Sequence, residues 1–232
     1  IWAQPIMLRI VFLCSGGGGN FRFVMEAIRL GFLINAEICG VITDRECSAS
    51  LFARQNNIPV SECDFSEKDQ LSLMTRLLDQ DPGLIISNVH RILSSIVVDT
   101  FRGKLINLHY SLLPAFGGVI GAKALSQALD YGVQLVGTTV HLVDDIVDSG
   151  SPLVQAAIPV IRGDEMPVLM DIVFRAGCIS LLTGMQLIRQ DKQISVGELR
   201  SLMEVSGRSV LFNPPVLYFS EFQDESFWRC LK

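Results

Sequence analysis

The feature that most constrains the fold is the junction between Leu8–Cys14 (LRIVFLC) and the glycine run that follows it, Ser15-Gly16-Gly17-Gly18-Gly19-Asn20. A short apolar run bounded by glycines reads as a parallel strand covered on both faces. Phe21–Leu30 then shows helical apolar spacing, so the sequence predicts a strand, a tight turn and a helix. Further strands are predicted at Glu37–Thr43, Leu84–Val89 and Leu105–His109, and helices at Ser48–Gln55 and Glu67–Leu78. Alternation of this kind argues for an α/β fold built on an open, mostly parallel, Rossmann-like sheet.

Beyond that region the pattern changes. Leu135–Val143 and Leu153–Val160 read as two longer strands joined by an acidic loop, Asp144–Gly150, and suit an antiparallel extension of the sheet. Asp164 and Glu165 open a long helix reaching about Gln190, and Pro167 fits its first turn. The tail from Ser195, with Asn213-Pro214-Pro215 and scattered aromatics, carries no assignable pattern. The expected organisation is one catalytic or binding domain over residues 7–194 and a short C-terminal appendage over 195–232.

Composition narrows the class. Of 232 residues, 49% are hydrophobic and 19% charged, which supplies a sizeable core and excludes a disordered or fibrous chain. A net charge of -5 argues against a nucleic-acid binder, which carries a basic excess or stripe. The six cysteines are scattered without a C-x-x-C pair, so the reading is a reducing compartment with no disulfide framework and no zinc site. The chain shows no apolar run near the ~18–20 residues of a membrane span. Ile1–Ile6 is too short for a signal peptide, and Met7 is the expected natural start. These features together predict a cytoplasmic globular enzyme or binding domain, monomeric or homodimeric.

Two segments carry candidate chemistry. A glycine run between strand and helix exposes backbone N–H groups at the positive end of the helix, where an anion binds. Phe21 stands where a Rossmann fingerprint needs its third glycine, and the Gly-Lys-Ser/Thr of a Walker loop is absent, so a phosphate or carboxylate fits better than a nucleotide. The plain alternative is a tight turn. Asn107 and His109 lie two residues apart at a strand end, so alternation puts both side chains on one face. Ligands in open α/β sheets bind beyond the carboxyl ends of strands. There an amide and an imidazole suit an oxyanion and a proton. The alternative is a capping Asn and a satisfied core His. His141 sits inside TTVHLV and reads as structural, while His90 stands at another strand end. Among the three carboxylates of the acidic loop, spacing does not choose which one orients His109.

Five segments occur in one order: SGGGGN, HRIL at 90–93, INLHYSLLPAF at 106–116, GTTVHLVDDIVDSG at 137–150 and QAAIPV at 155–160. Together they resemble the folate-dependent formyltransferase family typified by glycinamide ribonucleotide transformylase, over about Leu8 to Ile188. Formyltetrahydrofolate deformylases and the catalytic domain of methionyl-tRNA formyltransferase share the same core. The resemblance implies the formyltransferase fold, N10-formyltetrahydrofolate as formyl donor, a small-molecule amine as acceptor, and no metal. It matches Asn107, His109 and Asp148 to the catalytic Asn, His and Asp, the last because it lies seven residues after His141. It matches His90, Arg91, Ile92 and Leu93 to the segment lining the pterin pocket, and Val143, Asp144 and Asp145 to the folate loop. Gly18, Gly19 and Asn20 match the loop that holds the acceptor's phosphate.

The departures concern the acceptor. Tyr110 replaces the usual Pro after the catalytic His, Gly19 replaces a loop hydroxyl, and Gly177 stands where the long helix normally carries an acceptor-binding Glu. Phe116–Lys123 (FGGVIGAK) is about three residues longer than in the purine enzyme, and its ending is similar to the deformylases. The same residues would therefore serve an N-formyltransferase for glycinamide ribonucleotide or a specialised amine, a hydrolase releasing formate, or a non-catalytic folate-binding module.

Overall fold

The first strand, β1 (Leu8–Cys14), is buried from Ile10 to its end, as a strand covered on both faces must be. The structure, a computed structural model, describes residues 7–189 and 198–231. It divides into two compact units, one ending at Asn107 and one beginning at Leu108.

In the first unit β1 pairs in parallel with β2 (Ala36–Thr43) and with β4 (Leu84–Asn88). Strand β3 (Val60–Glu62) adds beside β2, and the start of β5 (Leu105–His109) adds beside β4, all parallel. Helices α1 (Gly19–Arg29), α2 (Ser48–Gln55), α3 (Leu71–Gln80) and α4 (Ser95–Thr100) connect them. The core gathers Phe12, Phe21, Phe23, Ile42, Leu73, Leu77 and Leu84, all fully buried. Phe21 packs on Phe12 with ring centroids 5.3 Å apart and edge-on against Phe52 at 5.5 Å. The predicted helix at Glu67–Leu78 forms as α3 from Leu71 onward, but its start is a separate 3-10 turn, Lys68–Gln70. Asp69 and Gln70 take positive φ there, which breaks the α-helical ladder. Strand β3 is too short for period-2 alternation to register in sequence.

In the second unit β6 (Leu135–Leu142) and β7 (Pro152–Pro159) form the expected antiparallel pair. Helix α5 (Ala122–Tyr131) precedes them. The long helix α6 (Met166–Arg189) carries Pro167 in its first turn, as expected, and lies against β6 and β7. The tail also forms strands. β9 (Arg208–Tyr218) pairs with β7, and β8 (Glu198–Val205) pairs with β9, both antiparallel. Ser206 and Gly207 link them, both at positive φ, the conformation of a two-residue type I′ hairpin. Short helix α7 (Glu225–Arg229) follows and buries Trp228. Arg175 of α6, itself buried, grips Glu225 through both terminal nitrogens at 2.5 and 2.8 Å and lies 5.3 Å from the Trp228 ring centre.

Residues Ile1–Ile6, the helix end at Gln190 and the boundary between residues 194 and 195 lie outside the described residues. Helix α6 corrects one expectation, because by length and composition it could cross a membrane. Its length and composition suffice even with Asp171 and Arg175 within it, which break its apolar run in sequence. Yet 78% of its most apolar window is buried inside the protein, as befits a core helix.

Candidate active site

His109 ends β5 and is only 6% exposed. Its Nδ1 lies 3.3 Å from Oδ2 of Asp148. Its Nε2 lies 3.0 Å from the carbonyl oxygen of Phe116. A carbonyl only accepts, so Nε2 carries a proton in this arrangement. The other oxygen of Asp148 faces a second imidazole: His141 Nε2 is 3.5 Å from Oδ1. His141 is 2% exposed, and its Nδ1 lies 2.8 Å from its neighbour's carbonyl, that of Leu142. The backbone N–H of Gly118 completes the set, donating to Asp148 Oδ2 at 2.7 Å.

Asp148 therefore stands between two histidines. Burial pushes its carboxyl pKa up, but the hydrogen bonds from His141 and Gly118 and the charges of both histidines outweigh it. The net effect holds Asp148 below the usual carboxylate range. A carboxylate fixed against an imidazole in this way orients the ring and stabilises its protonated form.

The loop that delivers Asp148 is built for the purpose. Asp144 accepts from the N–H of Ile146 at 3.1 Å and the hydroxyl of Ser149 at 2.8 Å, closing the turn on itself. Asp148 takes φ 55, an uncommon conformation for a side-chain-bearing residue. Gly150 sits where a Cβ would come within 1.8 Å of the Leu142 carbonyl oxygen, so the loop can rejoin β7 only through glycine. Of the three candidate carboxylates, the structure thus puts Asp148 against His109 and uses Asp144 inside the turn. Val143 is half-buried, and Asp145 is exposed.

His141 has a contact that its sequence setting does not show. It reads as structural there, yet it faces the same carboxylate as His109. The signal was present: His141 and Asp148 are both polar groups flanking one short loop, but alternation alone does not show that the loop folds back.

The first unit holds the remaining candidates. Asn107 is half-buried on β5, in register with Ser87 of β4. Gly18 caps the start of α1 at φ 74, where its missing Cβ would lie 2.7 Å from that of Ala49; Gly19 and Asn20 open the helix. No atom lies within 4 Å of where Gly16 or Gly17 would carry a Cβ, so that stretch borders open space. Arg45 reaches across to donate to the Ser15 carbonyl at 2.9 Å. His90, Arg91 and Ile92 are exposed just past β4, while Leu93 is buried. Buried Gln70, which the sequence did not single out, clamps that segment: it donates to the Ile92 carbonyl at 3.0 Å and accepts from the Ser94 N–H at 2.9 Å.

The departure at Gly177 has a packing cause. A Cβ there would lie 3.0 Å from Leu108 Cδ2 and 3.5 Å from Thr138 Cγ2, so α6 approaches β6 closely at a point where a larger side chain has no room. All six cysteines are free thiols, and Cys14, Cys63 and Cys178 are buried; burial pushes the Cys14 and Cys178 thiols well above their ordinary value. Among the described residues no group of three or more His, Cys, Asp or Glu is placed to hold a metal ion.

An α/β chain with an imidazole–carboxylate pair beyond a parallel strand has the layout of a group-transfer enzyme. Residues 8–182 match the family model described as formyl transferase. A phosphoribosylglycinamide formyltransferase of Mycobacterium tuberculosis is 35% identical over 167 residues, covering 69% of this chain and 75% of the relative. The solved phosphoribosylglycinamide formyltransferase of Anaplasma phagocytophilum is 32% identical with a TM-score of 0.73, covering 80% of this chain and 89% of that one. A glycinamide ribonucleotide transformylase from Symbiobacterium toebii superposes with a TM-score of 0.75 at 27% identity, over 91% of this chain and 97% of that one. The chain belongs to the formyl transferase family, and its chemistry is folate-dependent one-carbon transfer.

Proposed function

We propose that this enzyme moves the formyl group of N10-formyltetrahydrofolate to the amine of glycinamide ribonucleotide or a closely related small amine, in the cytoplasm. The observation that carries the reading is the placement of Asp148 against both His109 and His141. The acceptor amine attacks the formyl carbon, and negative charge grows on the formyl oxygen. Asn107 and protonated His109 donate to that oxygen. Asp148 holds the imidazolium in line and helps pass the amine's surplus proton to the departing N10 nitrogen. Each such donor is typically worth about 100- to 1000-fold in rate.

The other roles follow the resemblance. Gly18, Gly19 and Asn20 hold the acceptor's phosphate at the start of α1, where backbone N–H groups and the helix dipole favour an anion. His90–Leu93 and Val143–Asp145 line the folate. The identities of the named relatives in the purine-forming reaction favour glycinamide ribonucleotide. The departures at Tyr110 and Gly19 favour a changed acceptor pocket.

The test is direct. Purified enzyme, N10-formyltetrahydrofolate and a panel of amines are incubated, with glycinamide ribonucleotide, ornithine-type and amino-sugar acceptors and a water-only control, and products are read by mass. Acceptor-dependent formylation supports the reading. Formate release without acceptor makes the enzyme a hydrolase, and folate binding without turnover makes it a binding module.

A further inference from the structure

The atom of His109 that must serve the formyl oxygen is already taken. Nδ1 faces Asp148, which leaves Nε2 for the substrate, and Nε2 is bonded to the Phe116 carbonyl at 3.0 Å. Two residues further on, the Gly118 N–H bonds Asp148 Oδ2 at 2.7 Å. One three-residue segment thus satisfies both members of the pair.

The segment has a fixed foot and a strained tip. At the foot, the Leu113 N–H donates to Thr139 Oγ1 at 3.0 Å, Thr139 Oγ1 donates to the Ser111 carbonyl at 2.8 Å, and Gln155 donates to the Leu113 carbonyl at 3.1 Å. At the tip, Phe116 takes φ 58 and Gly118 φ 78, and Gly117 and Gly118 are exposed. A phenylalanine at positive φ costs free energy that its two flanking bonds to His109 and Asp148 offset.

We propose that residues 116–118 are a built-in cap: the Phe116 carbonyl and Gly118 N–H hold the His109–Asp148 pair in a resting state, and the formyl donor must displace them before His109 can act. The inference rests on the formyl-transfer reading above for what displaces the cap, but not for the cap itself. A capped pair is held in one orientation until the donor arrives. It engages only when the donor's formyl oxygen replaces the carbonyl as acceptor for the Nε2 proton.

The test reads the His109 Nε2 proton by NMR in the full chain, assigned by its loss in His109→Gln. The probe is 10-formyl-5,8-dideazafolate, and its binding is followed separately by fluorescence quenching. Gly118→Ala is the informative variant, since no atom lies within 4 Å of where its Cβ would go and the change acts through backbone strain alone. The cap predicts a slowly exchanging Nε2 proton in the free enzyme. It also predicts loss of the carbonyl-bonded signal on saturation with the probe, and exchange about tenfold faster in Gly118→Ala. An Nε2 proton whose signal and exchange do not change at saturating probe would overturn the proposal. If the probe fails to bind, the formyl-transfer reading fails instead, and exchange in Gly118→Ala equal to wild type then overturns the cap on its own.

Discussion

Asp148 lies 3.3 Å from His109 Nδ1 through one carboxylate oxygen, a contact that joins the end of a strand to a residue at positive φ in a distant loop. That relationship fixes the orientation of a buried imidazole. His141 Nε2 faces the opposite oxygen at 3.5 Å, so the carboxylate is held from both sides.

His141 is therefore expected to matter without touching substrate. His141→Ala should leave the fold intact and lower kcat by about a hundredfold through misplacement of Asp148. KM for the donor should change little. Steady-state kinetics read the split, and His141→Gln, which keeps a side chain able to donate toward Asp148, should recover part of the loss. A rise in KM with kcat unchanged would assign His141 to binding.

The depressed pKa of Asp148 has a stability consequence. A carboxyl whose folded pKa lies below its unfolded value, about 3.9, contributes stability that is fully present above that value. The contribution is lost as pH falls through the folded pKa. Urea unfolding of wild type and Asp148→Asn should therefore differ at pH 7 and converge as pH falls below the usual carboxylate range. A gap that widens on acidification would contradict the sign.

Gly150→Ala drives a Cβ against the Leu142 carbonyl and should destabilise the protein by about 1–3 kcal/mol or more. The loss should appear as a lower urea midpoint at unchanged slope, together with loss of activity as the loop carrying Asp148 is displaced. Wild-type activity in this variant would mean that the loop is not what positions Asp148.

Arg175 ties the tail helix to α6. Arg175→Leu removes the paired contact to Glu225 and the stacking on Trp228, and should cost about 1–3 kcal/mol, read by calorimetry as a lower Tm. Exposure of Trp228 should red-shift its fluorescence before global unfolding.

Much of the fold was legible because it is written in local patterns. Leu8–Cys14, Ser48–Gln55 and Leu105–His109 appear as the apolar runs and periodicities suggest. Strand β3 and helix α4 are too short to show a period. The tail strands escaped because exposed Leu199, Leu202 and Leu211 blur the alternation of β8 and β9. In the site, His109 and Asp148 were legible as candidates, but the choice of Asp148 over Asp144 needed the fold. That choice depends on a turn in which Asp144 satisfies the backbone and Asp148 is turned inward at positive φ. Gln70 and the 116–118 segment left no sequence signal: the Gln70 side chain bonds backbone groups, and the segment meets His109 and Asp148 through its own backbone.

The central claim is most directly tested by formyl transfer from N10-formyltetrahydrofolate to glycinamide ribonucleotide in wild type, Asn107→Ala and His109→Ala, with donor binding measured alongside. The account predicts product formation by wild type and a fall of about 100- to 1000-fold in kcat for each variant, at nearly unchanged donor affinity. Wild-type turnover in His109→Ala would contradict it.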